Sequence, residues 1–300
     1  MSKKVFITSG TGYIGEEVAQ AFKNKGYEVT ALARTDEAVQ KLQQHGFKAQ
    51  RGDLRKPETF TQQLQQFDII VHTASTNDHD FATVDKAVVQ SILNNLKGSN
   101  KTFIYTSGAW VLGDTAGVIA DEKTPPNPID IVRWRVDVEN EVLKAAQNAI
   151  KTIVIRPTLV YGKRRGPLEQ LTQIAQNLGE AQYVGNGDNQ WAIVHVEDLA
   201  DLYVLAAEKA KAGEVFHASE PKSIAVRQVA EKIAQAAKVK KVSAITPEEA
   251  QRTFGFLSVA FAVNHQIDSN KARKELGWNP KARDLDKELQ AEKKTLAAVR

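Results

Sequence analysis

Six residues near the start of the chain, Gly10-Thr11-Gly12-Tyr13-Ile14-Gly15, follow the apolar run Val5-Phe6-Ile7 and lead into the helical pattern Val18-Ala19-Ala21-Phe22. This order of strand, glycine loop and helix restricts the fold more than anything else in the chain. Small residues in such a turn let backbone N–H groups approach a pyrophosphate at the positive end of the helix. The unit belongs to doubly wound parallel sheets. The loop therefore predicts a dinucleotide cradle built from Gly10, Thr11, Gly12, Tyr13, Ile14 and Gly15.

The first half continues in the same rhythm. Short β-rich runs fall at 4–8, 28–33, 48–51, 69–73, 102–106 and 152–156, and helical periodicity fills 14–24, 36–45, 57–66, 81–97 and 131–148. Regular alternation of this kind implies an α/β fold, a doubly wound parallel sheet covered by helices on both faces. Asp36 is the expected N-cap of its helix, and Gly26, Gly46 and Gly98 are the expected stops.

The alternation then fades. A helix is expected at 167–179, a turn at 185–189, a short strand at 191–196, a helix at 197–211 and a return strand at 214–217. Helical patterns follow at 226–238, 247–254 and 269–276. The expected division is a Rossmann domain at 1–162 with 189–217, and a smaller, mostly helical substrate lobe at 163–188 with 218–300.

Forty basic and 36 acidic residues leave a net charge of +4, a balance that predicts no nucleic-acid footprint. The densest cationic cluster, Lys163-Arg164-Arg165, reads as a solvated loop, with contact to an anionic ligand as the alternative. No apolar run approaches the length of a membrane span and no signal-peptide core is visible, so a cytoplasmic location is expected. The absence of cysteine excludes disulfides, thiolate nucleophiles and zinc–thiolate sites. Asp78-His79-Asp80 is too local to close a metal site, and no metal is expected.

The second strand ends in Arg34-Thr35, where an acidic side chain would bond the ribose of NAD. Arg34 suits a 2′-phosphate through charge-assisted bonds, and Thr35 adds a hydroxyl. NADP(H) is the expected cofactor, and Asp36 just beyond keeps NAD(H) as the alternative.

Further landmarks are Gly52-Asp53-Leu54, His72-Thr73-Ala74, Tyr105-Thr106-Ser107-Gly108, Ile155-Arg156-Pro157-Thr158-Leu159-Val160-Tyr161-Gly162, His195-Val196-Glu197-Asp198-Leu199-Ala200 and Lys274-Glu275-Leu276-Gly277-Trp278-Asn279-Pro280. With the glycine loop they resemble the short-chain dehydrogenase/reductase superfamily, in its extended, epimerase-like branch, over nearly the whole chain. The resemblance implies that Asp53 and Leu54 meet the adenine and that Thr73 and Ala74 line the dinucleotide beyond the pyrophosphate. It also implies a homodimer paired through the helices at 81–97 and 131–148.

Three departures stand out. The family's first loop glycine falls on Ser9, and its catalytic Ser or Thr falls on Ser107 or, by register, Gly108. No tyrosine is followed four residues later by lysine: Tyr13, Tyr27, Tyr105, Tyr161, Tyr183 and Tyr203 lead to Glu17, Ala31, Ala109, Arg165, Gly187 and Ala207. With Glu139 taken as the family's helix glutamate, Ile131 stands at the Tyr position and Arg135 at the Lys position. Arginine holds its proton too tightly for acid–base work, so Arg135 is expected to anchor the cofactor ribose or the substrate.

Ser107 and Tyr161 are the catalytic candidates in place of the missing phenol, while His72 and His195 fit buried strands as supporting histidines. Asp78 and His79, at the sheet edge where ligands gather, and the aromatics Trp110 and Trp191 are the candidate substrate contacts. The expected function is hydride transfer from NADPH to a small carbonyl or quinone-like acceptor. A nucleotide-sugar epimerase or dehydratase and a non-catalytic NADP(H)-sensing regulator are the alternatives.

Overall fold

Parallel strands need long crossovers, and each crossover in the first half of this chain carries helical structure. In a computed structural model describing residues 2–76, 78–281 and 283–290, the order begins β1 (Lys4–Ile7), α1 (Tyr13–Asn24), β2 (Glu28–Ala33), α2 (Asp36–Gln44), β3 (Lys48–Arg51) and α3 (Glu58–Thr61). It continues through β4 (Ile69–His72), α4 (Phe81–Leu96), β5 (Thr102–Thr106), α5 (Arg133–Lys144), β6 (Lys151–Pro157), β7 (Leu159–Tyr161) and α6 (Gly166–Leu178). Then come β8 (Glu180–Val184), β9 (Gln190–Trp191), β10 (Ile193–His195), α7 (Val196–Lys209), β11 (Glu214–Ala218), β12 (Ile224–Ala225) and α8 (Val226–Ala237). The last elements are β13 (Lys241–Ile245), α9 (Pro247–Phe254), α10 (Ser258–Ala262) and α11 (Leu285–Gln290).

Seven strands form one sheet in the order β11-β6-β5-β4-β1-β2-β3, and all its pairings are parallel. The chain winds outward in one direction from β1 to β3 and in the other from β4 to β11. That reversal opens a crevice beyond the carboxyl ends of β1 and β4, the ligand position in open α/β sheets. The fold is the doubly wound Rossmann type.

Both faces of the central strands are buried, which is why β1, β4 and β6 are apolar at consecutive positions, whereas the edge strand β3, KAQR, is largely polar and only partly buried. Val5 and Ile7 join Val71, Ile104 and Ile155 in a core closed by α1 and α7. Phe6, Ile70, Phe103 and Val154 point the other way, under α4 and α5. Phe6 lies 5.9 Å from Phe60 and 5.2 Å from Phe67 between ring centres. Fully burying a side chain of this size contributes roughly 1.5–3 kcal/mol.

The remaining strands form three small pairs: β7 with β10, β9 with β12, and β8 with β13. Leu171 and Ala175 of α6 pack there with Val229 and Ile233 of α8. Leu159, Tyr161 and Ile193 belong to that same cluster, although the expected division assigns them to the Rossmann part.

Several local expectations need correction. Within the mostly helical lobe, β8 and β13 are strands that the sequence reading does not place, paired in parallel over five residues, 180–184 with 241–245. Both segments, EAQYV and KVSAI, are short polar/apolar alternations that the sequence reading passes over, and each is completed as a strand by its distant partner. Thr35, not Asp36, caps α2: its side chain accepts the Ala38 N–H at 3.2 Å, and Asp36 is the first helical residue. The helix expected at 57–66 breaks into α3 and a separate turn at Leu64–Gln66. No helix among the described residues is long and apolar enough to cross a membrane.

Helix α5 is tied to the sheet by a buried ion pair. Arg156 on β6 donates to both carboxylate oxygens of Glu139, with the shortest bond at 2.5 Å, and the two side chains are 6% and 2% exposed. Removing one partner leaves the other charge buried without compensation. Glu139→Ala is accordingly expected to cost about 3–5 kcal/mol in urea unfolding; a loss below about 1 kcal/mol would show that the pair does not hold α5.

Candidate functional site

The glycine loop turns directly from β1 into α1. The Gly12 N–H donates to the Ser9 carbonyl at 3.3 Å, and the Glu16 N–H makes the first intrahelical bond, to Gly12. The N–H groups of Tyr13, Ile14 and Gly15 therefore lie ahead of the helix ladder, at the positive end of α1.

Space explains the glycines, since none of the three has a positive φ. A Cβ on Gly15 would overlap the Ser9 carbonyl, one on Gly12 would meet Ser9 Oγ, and one on Gly10 would strike Ala31 and Leu42. Ser9, which stands at the family's first glycine position, is also outside the left-handed region. A serine is tolerated there without strain.

A groove of about 300 Å³ runs from this loop along the ends of β2 and β3. Among its walls are Thr11, Arg34, Thr35, Asp53, Leu54 and Ala74, which the sequence assigns to the cofactor. Asp36, the acid that kept NAD(H) open, is ion-paired with Arg51. Arg51 also donates to the Arg34 carbonyl at 2.8 Å. Asp53 accepts the Arg55 N–H at 3.0 Å, so it shapes the turn as well as the groove.

Arg55, which the sequence analysis passes over, crosses the groove mouth to Asp78 and, at 3.2 Å, to Asp80. A hydrogen bond from Thr76, together with Arg55, holds the Asp78 carboxyl below its ordinary range. Asp78 thus lines the Arg34 end of the groove, which corrects its expected place at substrate. The His79 side chain is 90% exposed and lies beside Asp80.

The other end of the crevice lies at the carboxyl end of β5. Arg135 projects there from α5, donating from Nη1 to the Tyr105 hydroxyl at 3.1 Å and the Thr106 carbonyl at 3.2 Å. Its guanidinium stacks 4.5 Å from the Trp134 ring centre. Ser107 is buried and its Oγ has no hydrogen-bond partner among the described residues. Thr73 Oγ1 is a second such atom, placed where a Cβ on Gly15 would approach it to 2.9 Å. A Cβ on Gly108 would meet nothing within 4 Å.

These features fit a nicotinamide dinucleotide. A cradle that side chains would fill sits at one helix end, and two orphaned hydroxyls stand along the crevice, where buried polar groups otherwise find partners. Gly10, Gly12, Gly15 and the α1 N-terminus would take the pyrophosphate, and Thr73, Ala74 and Arg135 the nicotinamide side.

Tyr161 is not among these groups. It is fully buried, and its hydroxyl donates to Glu220 at 2.6 Å. Burial, reinforced by Glu220, pushes the phenol well above its ordinary pKa. A phenol held this way is a structural donor, which corrects its candidacy as the substitute acid.

Trp191 is likewise a packing residue, 6% exposed, with its indole N–H donating to the Phe261 carbonyl at 3.3 Å. Trp110 stands three residues past Ser107 and, with Leu159, Trp191 and Phe261, encloses a small apolar gap. Lys163 and Arg165 are partly exposed, but all three cations of the Lys163-Arg164-Arg165 cluster are ion-paired and do not form a free anion site. They pair with Glu17 and Glu197, with Glu169, and with Glu16. Tyr13 completes this latch by donating to the Gly162 carbonyl at 3.1 Å.

Among the residues that sequence reasoning missed, Asp85 carries the clearest signal. It precedes Val88, Val89, Ile92 and Leu96 at helical spacing on the buried face of α4. A charge on an apolar stripe is a flag for a built polar contact.

Fold and crevice together define a dinucleotide-binding enzyme of Rossmann type. The family model for the NAD dependent epimerase/dehydratase family matches residues 5–219, and the chain belongs to that family. It is 32% identical to an uncharacterized protein of Saccharomyces cerevisiae, over 96% of this chain and 98% of that one. It is 28% identical to the sterol-4-alpha-carboxylate 3-dehydrogenase, decarboxylating, of Dictyostelium discoideum, over 75% and 74% of the two chains. Among solved structures, the UDP-glucose 4-epimerase of Thermotoga maritima superposes with a TM-score of 0.80 at 20% identity, covering 96% of each chain. The protein is an NAD(P)-binding enzyme of this family.

Glu220 allows a pH test of the structure around Tyr161. Burial pushes its carboxyl up to about 7, so the folded state favours the protonated form. Stability is therefore lost as pH rises from the ordinary carboxylate range toward 7. Glu220→Gln is expected to melt at a higher temperature than the parent at pH 8, by a margin that closes toward pH 4. An unchanged margin across that range would refute the assignment.

Proposed function

We propose that the protein is an NADP(H)-dependent oxidoreductase that delivers hydride to a small carbonyl or quinone-like acceptor. The observation that carries the cofactor choice is Arg34 in the groove wall while Asp36 is committed to Arg51. A cation there and no uncommitted Asp36 suit a 2′-phosphate and disfavour a bare ribose diol.

When bound, the reduced nicotinamide supplies the hydride. The chain supplies position and polarity. Arg135 presents donors beside the end of β5, fixed by its bonds to Tyr105 and Thr106. Ser107 Oγ has no other partner among the described residues and offers its proton as a hydrogen bond to the acceptor oxygen. Neither group replaces a tyrosine phenol as an acid. A quinone-like acceptor suits such a site, because its reduced oxygens collect protons from water.

The surrounding surface supports an apolar acceptor over a nucleotide sugar. A groove of about 370 Å³ between α6 and α9 is walled by Pro167, Leu171, Ile174, Phe254 and Leu257 together with the neutral polar Gln170, Gln173, Asn177 and Thr253, and none of its lining residues is charged. It shares Phe261 with the gap beside Trp110. Diphosphates call for cations or oriented N–H groups, and this lining offers no cation. The Dictyostelium relative, named as a dehydrogenase of a sterol carboxylate, works on a comparably apolar skeleton.

The reading is tested by following NADPH absorbance with aldehydes, ketones, quinones and sugar nucleotides. Saturable oxidation by a carbonyl or quinone is expected. Tight NADPH binding without turnover of any acceptor would favour a sensor instead. Arg34→Ala should raise the NADPH dissociation constant about 10- to 100-fold, as for loss of a charged hydrogen bond, and change NADH binding less than about twofold. Equal losses for both cofactors would remove the 2′-phosphate assignment.

A further inference from the structure

A chain of buried hydrogen bonds runs beneath the β5 end of the crevice, and counting donors and acceptors fixes its direction. Thr8 Oγ1 accepts the backbone N–H groups of Thr73 and Ala74, both at 3.1 Å. Its two lone pairs are then used, so its own proton goes to His72 Nδ1 at 2.9 Å. His72 is left with its proton on Nε2, aimed at Asp85 Oδ1 at 3.2 Å.

From the opposite side, the Tyr105 hydroxyl donates to Asp85 Oδ2 at 2.8 Å, and its oxygen accepts from Arg135 Nη1. Thr8, His72, Asp85 and Tyr105 are 3%, 2%, 6% and 0% exposed. Both arms therefore end on one carboxylate that only accepts.

We propose that Asp85 is a positioning residue for the nicotinamide half of the cofactor, joining Arg135 and the Thr73-Ala74 turn into a single rigid wall. The proposal rests on the reading that this crevice takes NADP(H). One arm reaches Arg135 through Tyr105, and the other reaches the turn after β4 through His72 and Thr8. Burial alone would raise the Asp85 carboxyl, but hydrogen bonding by His72, the charge of Arg135 and the Tyr105 hydroxyl outweigh it and keep it ionised.

The direction of the bonds also separates positioning from proton relay. A proton cannot pass from one arm to the other while Asp85 remains a carboxylate. The network orients the two walls, and the proton for the acceptor comes from elsewhere. In this arrangement Asp85 acts on the cofactor only through other residues.

The test compares the whole protein's affinity for NADPH with that for adenosine 2′,5′-bisphosphate, which has the adenine half of the cofactor without nicotinamide. Asp85→Asn and Tyr105→Phe are expected to weaken NADPH about tenfold or more and to leave the bisphosphate within about twofold. In an Arg135→Ala background, Tyr105→Phe should add little further loss, because the two act through one contact. A purely structural role would weaken both ligands together, and that result, or an unchanged NADPH affinity, overturns the proposal. If Asp85→Asn does not fold, Tyr105→Phe removes one oxygen from the same network and decides the question. A parent protein that binds neither ligand would instead refute the cofactor reading, and this proposal with it.

Discussion

The closest constraint in the molecule is the approach of α1 to the end of β1. At Gly15 the helix comes so near that a single added carbon would occupy the place of the Ser9 carbonyl. That contact sets the loop geometry, brings the helix N-terminus over the crevice and lets Val18, Ala19 and Phe22 enter the same core as Val5 and Ile7. Core packing and ligand site thus depend on one small-residue contact.

The lobe beyond β6 braces this loop from outside. Tyr13 bonds the Gly162 carbonyl, Arg165 pairs with Glu16 in the first turn of α1, and Lys163 spans Glu17 and Glu197. Half-burial alone would raise the Glu16 pKa, but bonds from Arg165 and Lys41 outweigh it and hold the carboxyl below its ordinary range. These are partly exposed pairs, individually weak and screened by salt. Their value lies in joining several short contacts between the cofactor loop and the lobe, where the order of the chain separates them by about 150 residues.

Around the presumed hydride end, polar groups are divided between satisfied and unsatisfied ones. The Thr8, His72, Asp85 and Tyr105 set meets its own needs, whereas Ser107 and Thr73 keep hydroxyls without partners among the described residues. Buried polar groups ordinarily find partners, so the fully bonded set below and the unpaired hydroxyls above divide the polar groups of this end of the crevice into two kinds. A Cβ on Gly108 would meet nothing within 4 Å.

The sequence alone determined the Rossmann alternation, the glycine cradle, the landmarks of the family and that no tyrosine is followed four residues later by lysine. These are local: strand, loop and helix signals within a few residues express backbone preferences and hydrophobic period. Only the tertiary structure decided the rest. Pairing of β8 with β13 joins segments about 60 residues apart. Capture of Asp36 by Arg51, closure of Tyr161 onto Glu220 and convergence of two donor arms on Asp85 are likewise contacts between distant positions. A side chain's type can be read from its place in the chain, but its partner depends on which strands and helices the fold lays side by side.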